Sequence, residues 1–242
     1  MRDYQKELEG RVKFIQGVLA QSGASGIVYG NSGGKDSALV GILCKKACDN
    51  TVGLVMPIST RNFDADRRDG LEVAEKFAIA TRELGLAEVK EKFISTLENI
   101  IDVAPMAGAN ISPRLRMMTL YAVAASENRL VAGTGNRSEA YMGYFTKWGD
   151  GAHDFNPIAD LTVTEIYEFL RFLGAPDAVL AKAPSAALFD GQTDEDEMGI
   201  TYAKIDAYLL NGTAAEVDKA LIESFHKKAL HKLSPIITYT GN

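Results

Sequence analysis

The sequence predicts a single α/β domain, a mostly parallel twisted sheet with helices on both faces. Three observations carry this. Short apolar, strand-like runs alternate along the chain with helical periodicities, the order expected of a parallel sheet wound by crossover helices. The runs at 26–30 and 51–57 are nearly all apolar, as suits strands covered on both sides. The chain has 242 residues, 46% of them hydrophobic, enough for one large core, and no shift of composition marks a second domain within 1–242.

Taken in order, residues 3–21 show helical periodicity, with Leu8, Val12, Ile15, Val18 and Leu19 on one face. A strand at 26–30, a glycine-rich turn and a helix at 36–48 follow. Residues 51–57 form a second strand and 64–84 a helix. Glu88 to Phe93 alternates and reads as a strand, with a short helix at 95–103. Ser112-Pro113 reads as a helix start, with serine at the N-cap and proline in the first helical position. That helix passes through Leu115, Met118 and Val123 to about Glu127, and Arg129 to Gly133 is the next strand. Residues 134–160 make a long polar, glycine-rich loop, a length that is uncommon without a function. A helix at 162–173, capped by Thr162 and ended by Gly174, comes next. Residues 184–198 read as a second polar loop whose run Asp194-Glu195-Asp196-Glu197 is solvated, and helices near 201–210 and 213–230 complete the chain.

Composition removes several classes of function. A formal net charge of −6 lacks the basic excess of a nucleic-acid binder. No run of about 18 apolar residues offers a membrane span. The charged N-terminus, Met1 to Glu7, reads as an amphipathic helix and not as a signal peptide, so a cytoplasmic location is expected. The two cysteines, Cys44 and Cys48, share a helix face and read as buried thiols in a reducing compartment, since no further Cys or nearby His completes a metal site.

The chemistry concentrates after the first strand, in Gly30-Asn31-Ser32-Gly33-Gly34-Lys35-Asp36-Ser37. Glycines let backbone amides converge on phosphate oxygens, and the helix that follows adds its positive end. All eight residues are candidates for binding phosphate, with Ser32, Lys35, Asp36 and Ser37 the candidate catalytic side chains. A tight turn with no ligand is the plain alternative. The spacing is not that of a Walker A loop. Ser-Gly-Gly-x-Asp-Ser instead resembles the PP-loop of N-type ATP pyrophosphatases, which cleave ATP between the α- and β-phosphates and adenylate a substrate oxygen. That resemblance implies that the phosphate bound at 30–37 is that of ATP.

A second constellation follows the strand that ends at Gly133: Thr134-Gly135-Asn136-Arg137-Ser138-Glu139, then Gly143-Tyr144-Phe145-Thr146-Lys147-Trp148-Gly149-Asp150-Gly151-Ala152-His153-Asp154. Magnesium on a polyphosphate takes one or two carboxylates and keeps several waters. Asp36 and Glu139 meet that need if they face one crevice. Glu139 alone reads as well as an exposed carboxylate at a helix start.

With Arg114-Leu115-Arg116-Met117, Pro184-Ser185-Ala186 and Gly191-Gln192-Thr193-Asp194-Glu195, these segments resemble ammonia-dependent NAD synthetase, in order and spacing, over nearly the whole chain. The PP-loop alone leaves GMP synthetase and tRNA-thiolating enzymes open. The resemblance implies an adenine nucleotide alpha hydrolase-like, Rossmann-like fold. It also implies a homodimer that adenylates the nicotinate carboxylate of deamido-NAD with ATP and Mg²⁺, then lets ammonia displace AMP. By the same resemblance Asp36 and Glu139 would hold magnesium, and Thr134 and Thr193 would contact ATP. Arg114, Lys147, Asp154, His226 and Lys227 would bind deamido-NAD. Arg114 otherwise reads as a helix-surface arginine, and His226-Lys227 as cations favoured by a helix end.

One departure stands out. By the same resemblance many relatives carry a lysine assigned to ATP where this chain has Val163, so either another cation, with Lys182 and Arg137 as candidates, covers the phosphate, or ATP binds more weakly here. Glutamine-dependent relatives carry an N-terminal amidase domain, and this chain starts only a helix before the PP-loop, so free ammonia is the expected nitrogen donor. Two further readings are a different PP-loop adenylating enzyme and a nucleotide-binding regulatory protein that has lost turnover.

Overall fold

Strand β1 (Gly26–Gly30) is the axis of the molecule. In the computed structural model, which describes residues 2–58, 63–182 and 193–241, it pairs in parallel with β2 (Thr51–Val55) on one side and β4 (Arg129–Ala132) on the other. β3 (Ala80–Glu83) extends β2, giving a four-stranded parallel sheet in the order β3-β2-β1-β4. Alternate side chains of β1 feed two different cores, since strand residues point by turns to opposite faces. Ile27 and Tyr29 enter a cluster with Leu39, Ile42, Leu43, Ile166, Phe169 and Leu170. Val28 joins Val52, Leu54, Leu115 and Val131 on the other face.

The first face is covered by α1 (Tyr4–Ser22), α2 (Lys35–Ala47) and α3 (Phe63–Lys76) with α7 (Val163–Leu173) and α8 (Asp177–Ala181), and the second by α4 (Ala87–Leu97) and α5 (Pro105–Glu127). Arg2 and Arg11 tie α1 to Asp160 and Glu165 at the head of α7. A third cluster, Met142, Val163, Met198, Ile200, Tyr202, Ile205 and Ile222, lies beside the sheet. It is built by α6 (Arg137–Met142), the start of α7, α9 (Asp194–Met198), α10 (Tyr202–Asn211) and α11 (Glu216–Leu233). Among the described residues no helix is long and apolar enough to cross a membrane.

The α/β class and most elements match the sequence reading; several local readings do not. The helix expected at 64–84 ends at Lys76, and Ala80–Glu83 is the edge strand β3. Glu88 to Phe93 is helical, inside α4, because Val89 and Phe93 satisfy an i, i+4 spacing as well as a period of two; α4 ends at Leu97, so the separate short helix expected at 95–103 does not form. Ser112-Pro113 lies within α5, which starts at Pro105. Burial of Ala109, Ile111, Ser112, Pro113 and Leu115 holds that stretch helical despite the amide that proline lacks. The loop 134–160 contains α6, and the acidic run at 194–197 forms α9, with Asp194 buried and hydrogen-bonded by the Tyr202 hydroxyl. Pro184, Ser185, Ala186, Gly191 and Gln192 lie outside the described residues.

The packing of α2 on the sheet depends on Tyr29, wedged between two glycines. A Cβ on Gly41 would lie 2.3 Å from the Tyr29 hydroxyl oxygen, and one on Gly53 3.0 Å from it. Gly41→Ala is therefore expected to destabilise the protein by about 1–3 kcal/mol through overpacking. Urea unfolding checks this; an unchanged midpoint would show that Tyr29 moves freely.

Candidate active site

The crevice lies beyond the carboxyl ends of β1 and β4, where the strand order turns from β2 on one side of β1 to β4 on the other, the usual ligand position of an open parallel sheet. Residues 30–37 leave β1 here. Gly33 takes a φ of +73°, a left-handed value that glycine adopts without strain. Gly34 is the N-cap of α2 with no side-chain cap hydrogen bond, so the first amides of that helix point at the crevice without a capping group. The turn is braced from within. The Asn31 amide donates to the Gly70 carbonyl on α3 and accepts from the Gly33 N–H. Ser32 and Ser37 hydroxyls lie 3.1 Å apart, and Ser37 donates to the Gly34 carbonyl.

Asp36 and Glu139 do converge, as the sequence suggests. Asn136 holds both: its Nδ2 donates to Asp36 Oδ1 at 3.1 Å and its backbone N–H to Glu139 Oε2 at 3.1 Å. Asn136 also caps α6 in a reciprocal capping box with Glu139, which fixes the direction of that carboxylate. The other oxygens, Asp36 Oδ2 and Glu139 Oε1, lie 2.7 and 3.8 Å from Lys35 Nζ. Lys35 is buried, and its ammonium stands 5.8 Å from the centre of the Tyr202 ring.

The electrostatics follow from crowding. Burial works against the Lys35 charge, but Asp36 and Glu139 outweigh it and hold its pKa above the ordinary value. Burial pushes the Glu139 carboxyl up, the Asp36 charge pushes the same way, and Lys35, at the longer distance, only partly offsets them. Asp194 adds to that push. The pocket thus holds more negative charge than one ammonium neutralises. Among the described residues no cluster of three or more His, Cys, Asp or Glu side chains forms a metal cage, so a cation here would have two carboxylates and would complete its shell with ligand oxygens or water.

The remaining candidates fall into separate groups. Arg114 on α5 donates to the Lys147 carbonyl, and Lys147 Nζ to the His231 carbonyl on α11, so loop 143–154 bridges α5 and α11. His226 stacks on Tyr141 at 4.0 Å between ring centres and meets the Tyr141 carbonyl through Nδ1, while Lys227 is exposed. Asp154 takes the Val131 N–H and the Tyr121 hydroxyl, bracing the edge where Phe155 bridges Ala132. Thr134 stands two residues past the end of β4, and Thr193 caps α9. Arg137 points away, donating to the Leu209 carbonyl. Lys182 reaches the loop, 3.5 Å from the Gly33 carbonyl and 3.1 Å from Asp69. Asn136, Asp69, Asp194 and Tyr202 were not singled out individually by the sequence reading. For Asn136 a signal exists, the Asn-x-x-Glu pattern of a capping box.

A glycine loop opening a helix beside paired carboxylates, at the carboxyl edge of a parallel sheet, defines a nucleotide-binding α/β enzyme that handles polyphosphate. Comparison with known proteins narrows this class. The family model for NAD synthase matches residues 7–238, and the chain belongs to that family. It is 43% identical over 233 residues to the NH(3)-dependent NAD(+) synthetase of Carboxydothermus hydrogenoformans, covering 95% of both chains. Among solved structures it resembles NMN synthetase from Francisella tularensis (TM-score 0.94, 36% identity, 100% of both chains). It also resembles an NH3-dependent NAD synthetase from Campylobacter jejuni (TM-score 0.81, 31% identity, 99% of this chain and 100% of the other).

Proposed function

We infer that this chain is an ammonia-dependent NAD synthetase, a ligase that makes NAD from deamido-NAD, ATP and ammonia. The observation that carries the reading is the meeting of loop 30–37 with Glu139, through Lys35 and Asn136, in a member of the NAD synthase family. A nicotinate carboxylate oxygen attacks the α-phosphorus of ATP, and pyrophosphate leaves with the electrons of the broken P–O bond. Ammonia then attacks the acyl carbon, AMP leaves, and a proton is lost from nitrogen. The catalytic work is positioning and electrostatic stabilisation. The amides at the head of α2 and the Ser32 and Ser37 hydroxyls bind phosphate oxygens, and Lys35 and Lys182 offset their charge. Thr134 and Thr193 contact ATP. Arg114, Lys147, Asp154, His226 and Lys227 are the residues that would bind deamido-NAD.

Magnesium fits the residues present. Two carboxylates already share one cation, and Glu139 has a raised affinity for a proton, the mark of a site short of positive charge. Asp36 and Glu139 would hold it, and when bound it neutralises polyphosphate charge. A homodimer belongs to the same reading, supported by the exposed Met106 and Met118 on α5.

The purified chain is expected to form NAD and AMP from ATP, Mg²⁺, ammonium and deamido-NAD, and to use glutamine poorly. Efficient synthesis from glutamine with free ammonia excluded would sink the ammonia reading. The likeness to the Francisella NMN synthetase favours a second substrate, the mononucleotide acid that would give NMN by the same two steps. Parallel kcat/KM measurements on the two acids decide between them.

A further inference from the structure

We propose that Lys35 is a resident counter-ion that closes the Asp36–Glu139 pair to free divalent metal, so that magnesium enters only together with the nucleotide, whose phosphates take over the ammonium. The proposal rests on the ATP-binding reading above and adds the order in which metal and nucleotide arrive.

The pair divides its oxygens evenly. Asp36 Oδ1 and Glu139 Oε2 are committed to Asn136, which donates one hydrogen bond from its side chain and one from its backbone. Asp36 Oδ2 and Glu139 Oε1 remain, and these are the oxygens a divalent cation would join. Lys35 Nζ already lies against both, at 2.7 and 3.8 Å, with its side chain 5% exposed. It comes from the residue next to Asp36 in sequence, so its local concentration exceeds that of a dissolved ion. The Tyr202 ring, 5.8 Å away, backs the ammonium.

Free Mg²⁺ arriving here would have to shed water, which it does reluctantly, and expel the ammonium. An expelled ammonium would leave both carboxylates while still buried, beside the Tyr202 ring. A nucleotide changes the exchange. Its phosphates bring several negative charges to the amides of loop 30–37, to which Lys35 itself belongs. The ammonium then moves from carboxylate to phosphate without being left unpaired, and the vacated oxygens receive the metal that the phosphates carry. The other charged groups around the loop leave this balance in place. Asp194 adds negative charge beside Glu139, and Lys182 is paired with Asp69 at the Gly33 carbonyl.

The test uses Mn²⁺ as the metal, counted by electron paramagnetic resonance, and α,β-methylene ATP, which the enzyme cannot cleave between those phosphates. Wild-type protein without nucleotide is expected to hold no Mn²⁺ below millimolar concentration, and to take it up when the analogue is added. Lys35→Met is expected to bind Mn²⁺ alone at least tenfold more tightly, with a melting temperature that rises on adding Mn²⁺. The double variant Lys35→Met/Asp36→Asn should lose that gain. Sub-millimolar binding of Mn²⁺ to nucleotide-free wild type overturns the proposal, whether or not the variants fold; so does a folded Lys35→Met with no gain. Failure of wild type to take up Mn²⁺ even with the analogue overturns the ATP-binding reading, and the proposal falls with it.

Discussion

Asp36→Asn and Glu139→Gln are each expected to abolish amide formation, lowering turnover by about 10³-fold or more, while leaving the protein folded. Both changes keep the shape of the side chain and remove one negative charge from a pocket built around two. An asparagine at 36 still accepts from Asn136 through its carbonyl oxygen, but its amide offers Lys35 a donor where a carboxylate oxygen stood 2.7 Å away. A glutamine at 139 can still complete the capping box with Asn136, so α6 stays in place. The structural cost of Glu139→Gln is therefore small, whereas Asp36→Asn also leaves the buried Lys35 ammonium with Glu139 alone, 3.8 Å away. Loss of a carboxylate from the first turn of α2 removes a favourable dipole contact worth about 0.3–1 kcal/mol. Loss of charge compensation where pyrophosphate forms costs far more, because the transition state places its charge on those phosphate oxygens. Steady-state kinetics at saturating ATP and Mg²⁺, beside thermal melts, separate the two effects. Near-normal turnover in either variant would remove that residue from the metal site.

What the sequence disclosed about this site was its local chemistry. Gly30 to Ser37 and Gly133 to Glu139 each follow an apolar strand, and a parallel sheet brings the ends of β1 and β4 side by side, so the meeting of Asp36 with Glu139 could be foreseen. What fills the space between them could not. Lys35 was legible as a candidate phosphate ligand, but its double pairing depends on Asn136, 100 residues beyond Asp36, whose side chain and backbone serve two different carboxylates. Asp194 looked solvated because its neighbours are acidic; burial against Tyr202 is a tertiary fact. The same limit explains β3. Ala80–Glu83 is an edge strand with exposed, charged residues: Arg82 pairs with Glu127, and Glu83 with Arg67. It lacks the apolar alternation that marks a half-buried strand, and Phe77 and Ile79 prolong the helical pattern of α3 into it. Thr162 and Gly174, by contrast, carry helix signals that need no tertiary context, and α7 starts and stops between them.

Val163→Lys is expected to leave ATP affinity unchanged or weaker and to lower stability, although the family resemblance implies a lysine there. A charged donor that reaches phosphate is worth on the order of 1.5–3 kcal/mol, or about tenfold or more in affinity. The location works against that gain. Val163 is 4% exposed and packs with Met142, Tyr202, Ile205 and Ile222, so a lysine stem must displace apolar contacts before its ammonium emerges. It would emerge beside Tyr202, the ring already backing the Lys35 ammonium. Two ammonium groups would then share Asp36 and Glu139, and a buried ammonium left without a partner costs on the order of 3–5 kcal/mol. Of the two cations that sequence reasoning offered as substitutes, Arg137 is turned to the Leu209 carbonyl, whereas Lys182 does reach the loop at Gly33. Lys35, which was not among those candidates, is already inside the pocket. The cost exceeds the gain, and the expected sign follows from that comparison. ATP dissociation constants for both proteins at one salt concentration, with thermal melts, provide the check; a tenfold gain in the lysine variant would show that the pocket lacks a cation. In Lys35→Gln/Val163→Lys the two changes should compensate, because the pocket again holds one ammonium, delivered from α7 instead of from the loop.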